Sequence, residues 1–247
     1  MAFLAALGGL SFLLICILGG GRLLLLARRT RKLPEFVLGM GMLLLGGVAT
    51  PLAALARMPT DLPLDVRVAF LVAHFTIMVI GMAGFSAFTR QVFRPNEAWS
   101  RILSWALPGM MVLGMFLTHT THGFAGALDT MGRGELLQQL GAMATLGWAA
   151  WESLRYSRIL KRRLALGLVD PVVFDRVRLW GIAMGLALVL SSVTICAQLM
   201  GFNFLGSAVG AAFTGFGGFI AGSALYLAFL PPEPYTSWVI NRFGTEA

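Results

Sequence analysis

The chain has 247 residues, of which 57% are hydrophobic and only 12% charged, and its mean hydropathy is +0.80. An ordinary soluble domain carries roughly 25% charged residues, so a water-soluble globule is excluded. The formal net charge of +8 then belongs to a membrane protein, and no nucleic-acid partner is needed to explain it.

A hydrocarbon core about 30 Å thick takes around 20 mostly apolar residues per helical crossing. Seven such segments run along the chain, at about 3–26, 35–56, 66–89, 100–120, 135–156, 174–200 and 204–230. The expected fold is an all-α integral membrane protein: a seven-transmembrane-helix bundle over 1–230 and a short cytoplasmic tail over 231–247 that includes an interfacial helix. Segments and connections take up nearly the whole chain, so function is expected within the bundle or its short loops.

Orientation follows the placement of Lys and Arg beside helix ends. Sixteen of the nineteen fall on one side: Arg22, Arg28, Arg29, Arg31 and Lys32; Arg90, Arg94 and Arg101; Arg155, Arg158, Lys161, Arg162, Arg163, Arg176 and Arg178; and Arg242. Arg57, Arg67 and Arg133 fall on the other. This predicts an outside N-terminus and a cytoplasmic C-terminus in the bacterial cytoplasmic (inner) membrane, with the basic face meeting anionic headgroups.

The first segment has no basic residue before its apolar run and "RRTRK" after it, the reverse of a signal peptide, and reads as a retained helix. Cys16 and Cys196 fall inside apolar segments and form no disulfide framework. Pro34 and Glu35 suit the opening turn of the second helix. Pro51 and Pro108, inside the second and fourth, each remove a backbone hydrogen bond and predict kinks or local unwinding. Asp170 and Pro171 read as an N-cap followed by a first-turn proline. After the seventh segment "PPEP" stops the helix, and "YTSWVINRF" places Tyr235 and Trp238 at the interface. No internal repeat divides the chain.

Seven helices with an outside N-terminus, a basic inner face and a short helix after the seventh resemble the layout of rhodopsins and related receptors. A retinal protein holds its Schiff-base lysine in the middle of the seventh helix, whereas the lysines here are Lys32 and Lys161, both in loops, so retinal bound in that way is excluded. The stretches "VFRPNEAWSR" and "ESLRYSRILKRRLALGLVDPVVFDRVRLWG" also resemble pieces of bacterial seven-helix proteins and of membrane-sensing regions joined to signalling proteins. That resemblance implies a bacterial inner-membrane protein.

Polar residues inside membrane segments mark candidate sites, because an ionisable group there is costly. His74 lies in the third segment, and His119 and His122, in "THTTHG", share a face if the fourth helix continues. With Gln138 and Gln139, Thr194 and Gln198, and Asn203, they are expected to line an outward-facing polar pocket for a small ligand; helix-end polar groups that simply meet water are the plainer explanation. A different reading joins His74, Met78, Met111, Met115 and His119 into a line of soft ligands suited to copper(I), with methionine as membrane-core filler its plain counterpart. A haem between His74 and His119 would have to bridge depths about 10 Å apart. On the inner side Glu152, Arg155 and Arg178, with Arg176 nearby, form either an interfacial salt bridge or a charge latch between the fifth and sixth helices. Gly206, Gly210, Thr214, Gly218 and Gly222, four apart, make a ridge of small residues that is expected to seat the seventh helix against the first or second.

No HExxH, GxSxG, P-loop or histidine-box motif is present, and the histidines and the inner carboxylate lie on opposite sides, so the protein is not expected to be an enzyme. The leading expectation is a sensor-like or accessory membrane protein. It binds a small ligand or partner from the outer side and contacts a cytoplasmic or membrane protein partner through its basic loops and tail. The alternatives are a small-solute transporter or copper-handling membrane protein, and a structural subunit of a larger complex.

Overall fold

The computed structural model describes residues 2–57, 62–128, 131–202, 204 and 207–244. Among them there is no strand. The helices are α1 (Ala2–Thr30), α2 (Leu33–Met42), a π-helical turn (Leu43–Ala49), α3 (Thr50–Arg57), α4 (Leu64–Phe93), α5 (Ala98–Thr121), α6 (Gly123–Gly126), α7 (Arg133–Leu164), α8 (Pro171–Leu199), α9 (Ala208–Phe229) and α10 (Glu233–Gly244). Six helical stretches are long and apolar enough to cross a membrane: Gly8–Thr30, Leu33–Arg57, Leu64–Phe93, Ala98–Thr121, Pro171–Leu199 and Ala208–Phe229. The chain is a helical, multi-pass membrane protein.

Helix α7 is absent from those six although it has 32 residues. Its buried face carries Glu135, Gln138, Thr145, Glu152, Ser153 and Ser157 among small residues such as Gly134, Gly141, Ala142 and Ala149. With the basic residues Arg155, Arg158, Lys161, Arg162 and Arg163 toward its end, these polar side chains lower the hydropathy of the whole helix.

Two compact units can be distinguished. One comprises Cys16–Thr145 and Ile195–Phe202. Here α1 and α2 meet through glycines: a Cβ on Gly20 would stand 2.9 Å from the Gly39 carbonyl oxygen, and one on Gly39 2.9 Å from that of Gly20. Gly41 accommodates the Phe85 ring and Gly81 the Leu45 side chain, which brings α4 against α2 and the π turn. The helix formed by α2, the π turn and α3 stays continuous past Pro51 because the turn widens just before it. The Thr50 amide and hydroxyl both donate to the Leu45 carbonyl, the hydroxyl at 2.9 Å, while Pro51 has no N–H to offer. Local unwinding was expected at this proline. Helix α5 runs without interruption through Pro108.

The second unit comprises Met1–Ile15, Leu146–Thr194 and Asn203–Ala247. Helix α9 lies against α1: a Cβ on Gly8 would run into the Gly215 backbone, Gly218 sits 3.6 Å from the Gly8 carbonyl oxygen by the same measure, and Gly222 is 3.6 Å from Phe12 Cα. In lipid, such backbone proximity supplies dispersion contacts that hydrophobic burial does not. Helix α8 opens with the Asp170 carboxylate accepting from the Val172 amide at 2.8 Å and with Pro171 in its first turn. The tail is a helix that packs: Val239 is buried, Phe243 meets Phe174 edge-on at 5.5 Å, and Phe174 joins Leu160 and Leu164 in an apolar cluster.

Candidate functional site

The site grows out of a backbone seam between α5 and α7. Cβ atoms on Gly114 would lie 2.6 Å from the Gly134 carbonyl oxygen, and on Gly134 2.5 Å from the Gly114 carbonyl oxygen and hard against the Thr118 hydroxyl. Two turns along α7, Gly141 fits over Met111. The glycines bring the two backbones close, so the polar residues that share this stripe, Glu135 and Gln138, are carried into the interior; they are 3% and 1% exposed.

Glu135 is the third residue of α7, and its Oε2 accepts from the Gly132 amide at 2.8 Å, the reciprocal contact of a capping box. Its other oxygen, Oε1, faces His122 Nε2 at 3.2 Å. That separation is an ion-pair distance, but neither atom completes a well-formed hydrogen bond. The His122 ring is held between Gly126 and Gly132, each of which would clash with it if it carried a Cβ, and its Nδ1 lies 2.9 Å from the Thr121 hydroxyl.

Gln138 donates to the Phe75 carbonyl at 3.4 Å, and its Oε1 is buried without a hydrogen-bond partner. Phe75 begins a run of rings: His74 at 5.3 Å on one side, Phe124 at 6.1 Å on the other, then His119 at 5.8 Å from Phe124. His74 Nδ1 donates to the Ala49 carbonyl at 2.8 Å, at the close of the π turn, which fixes the ring and its tautomer. Arg57, exposed at the end of α3, stands within electrostatic reach of Glu135 and His74. The adjoining Ala56 carbonyl accepts from Arg67 Nε at 3.1 Å.

The sequence expectation and the geometry differ in several places. His119 and His122 do not share a helix face, because α5 ends at Thr121 and His122 leaves it with φ −134 and ψ 2; His119 stays exposed while His122 turns toward Glu135. Gln138 is in the cluster. Gln198 Oε1 is buried without a hydrogen-bond partner, and among the described residues no hydrogen bond or ion pair joins it to the histidines. Asn203 and Gly206 lie outside the described residues. Glu135, absent from the pocket expected from sequence, is central to the set. The signal for Glu135 was its place on the stripe of Gly134, Gln138 and Gly141.

For the copper reading, Met111 is wholly buried beneath Gly141 of α7, Met115 packs beside Phe75 and Phe124, and His74 is engaged with the backbone of the π turn. Among the described residues no three His, Cys, Asp or Glu side chains converge to hold a metal.

In the second unit, buried Glu152 lies 3.8 Å from half-exposed Arg155. Arg178 acts electrostatically on Tyr235, whose hydroxyl donates to the buried Asp175 carboxylate at 2.5 Å. Burial, followed by that bond and the Asp175 charge, holds the Tyr235 hydroxyl above the ordinary phenol range, with Arg178 opposing. On the glycine ridge, Gly218 and Gly222 face α1, Gly210 backs onto the Phe204 carbonyl, and the Thr214 hydroxyl donates to the Gly210 carbonyl at 2.8 Å.

No protein-family model, curated protein or solved structure matches this chain. Its chemistry therefore rests on its own residues: a buried carboxylate facing an imidazole, with a buried amide oxygen one turn along α7.

Proposed function

We propose that the protein is a seven-helix bundle of the bacterial cytoplasmic membrane, with α7 as a seventh crossing. In this reading it acts as a sensor-like or accessory protein that takes a small polar ligand at the Arg57, His122, Glu135 and Gln138 end. The distribution of basic residues supports placing that end outside and the C-terminus in the cytoplasm. The basic helix ends and α10 then contact a protein partner.

One observation carries the reading: Gln138 Oε1, Glu135 Oε1 and His122 Nε2 are all buried and incompletely hydrogen-bonded, with Glu135 facing His122 and Gln138 one turn further along α7. Native interiors leave few polar atoms in that condition, and a ligand bearing N–H or O–H groups satisfies two of them directly. The test is mass-spectrometric identification of small molecules released from gently purified protein, wild type beside Gln138→Leu and Glu135→Gln. A stoichiometric molecule present in the wild type and lost from both variants, with helicity retained, supports the site. An identical small-molecule content in all three overturns it.

A further inference from the structure

At the junction of α1 and α2 the surface opens into a groove of about 510 Å³ lined by Leu24, Ala27, Arg28, Arg31, Lys32, Leu33 and Phe36. The size falls within the range of small-molecule sites, and its chemistry is divided. Leu24, Ala27, Leu33 and Phe36 form an apolar floor and wall, with Leu33 and Phe36 57% and 49% exposed, while three cations stand at the rim. The carboxylate within this stretch of sequence, Glu35, accepts from the Thr30 hydroxyl. Arg29, also exposed, adds a fourth positive charge beside the rim.

The backbone that gathers these cations is unusual. Arg31 has φ 56, the left-handed conformation that glycine adopts freely and arginine does not. It closes α1 by donating its amide to the Ala27 carbonyl at 2.8 Å. Any terminator would end the helix there, and glycine at less strain; an arginine keeps a guanidinium at the turn, beside Arg28 and Lys32.

We propose that this groove seats one anionic glycerophospholipid, its phosphate on Arg28, Arg31 and Lys32 and an acyl chain along Leu24, Ala27, Leu33 and Phe36. The combination of a cationic rim with an apolar wall at the end of a membrane helix is complementary to a molecule that carries both parts. A free phosphate ester uses the rim alone, and a zwitterionic lipid brings its own cation to a site already rich in them. Basic pockets between membrane helices recognise anionic headgroups on this principle.

The experiment is native mass spectrometry of the full chain in detergent, titrated with phosphatidylglycerol or with phosphatidylcholine of identical acyl chains, reading the first lipid bound. The wild type is expected to prefer phosphatidylglycerol by roughly tenfold, and excess glycerol phosphate is expected not to displace it. Arg31→Gly, which keeps the turn and relieves its strain, and Arg28→Gln with Lys32→Gln should each bring the preference close to unity without loss of thermal stability. Arg101→Gln with Arg158→Gln, exposed cations outside the groove, should leave it unchanged. Equal binding of the two lipids overturns the proposal. So does a preference that survives the groove variants, that falls equally in the control pair, or that glycerol phosphate abolishes.

Discussion

His122 Nε2 and Glu135 Oε1 stand 3.2 Å apart where the end of α5 meets the start of α7, with the carboxylate almost wholly buried. The two are thirteen positions apart in the chain and meet because α5 stops at Thr121 and α7 begins at Arg133. Groups in direct contact of this kind couple energetically. A double-mutant cycle on His122→Ala and Glu135→Gln should therefore give a coupling of about 1 kcal/mol in detergent unfolding. Strict additivity would mean that Glu135 serves only as a cap for Gly132.

The α5 and α7 seam admits no side chain. Gly134→Ala should destabilise by about 2 kcal/mol, since its methyl group meets backbone that cannot yield. Gly109, on the same helix as Gly114, has open space around a Cβ. Gly109→Ala should therefore raise stability by about 0.5 to 1 kcal/mol through helix propensity alone. Thermal unfolding of the two variants side by side checks the contrast.

Adjacent glycines in α1 make a finer comparison. A Cβ on Gly8 strikes the Gly215 backbone, while one on Gly9 meets nothing within 4 Å. Gly8→Ala should reduce the yield of folded protein and lower its unfolding temperature, and Gly9→Ala should do neither. Gly218→Ala sits at ordinary contact distance from Gly8 and should be mild, whereas Gly218→Leu should behave like Gly8→Ala. Detergent size-exclusion profiles at matched expression separate these outcomes.

The Tyr235 hydroxyl holds its proton more tightly in the folded protein than in the unfolded chain, where a phenol titrates near about 10. A group raised on folding contributes stability that is complete below its unfolded pKa and lost as pH climbs through the folded one. Stability should therefore fall from about pH 10 upward, and Tyr235→Phe should flatten that fall while leaving neutral-pH stability lower by the loss of the bond to Asp175. Unfolding temperatures measured between neutral and strongly alkaline pH test the slope.

The apolar segments were legible because a bilayer demands a length of greasy residues that little else in a sequence imitates. The site was only half legible. Gln138 stands out as an amide in an apolar run, but Glu135 looks like an ordinary first-turn acid until Gly134 and Gly141 are seen to press its face against α5. His122 was expected beside His119 because helical spacing was extended one residue past the true end of α5. The bond between Tyr235 and Asp175 joins residues sixty positions apart and depends on the tail folding back onto α8. No local pattern announces such a return.

The π turn at Leu43–Ala49 carries a geometric consequence for everything after it. A π-helical turn arises when one residue is inserted into an α-helix, and one residue is worth about 100° of rotation at 3.6 per turn. Arg57 sits past the turn, so the direction in which it leaves the helix follows the phase the turn imposes on α3. The wider coil is also where the Ala49 carbonyl accepts from His74. That single extra residue therefore acts as an angular offset for all of α3, and the same turn provides the carbonyl on which an imidazole is fixed.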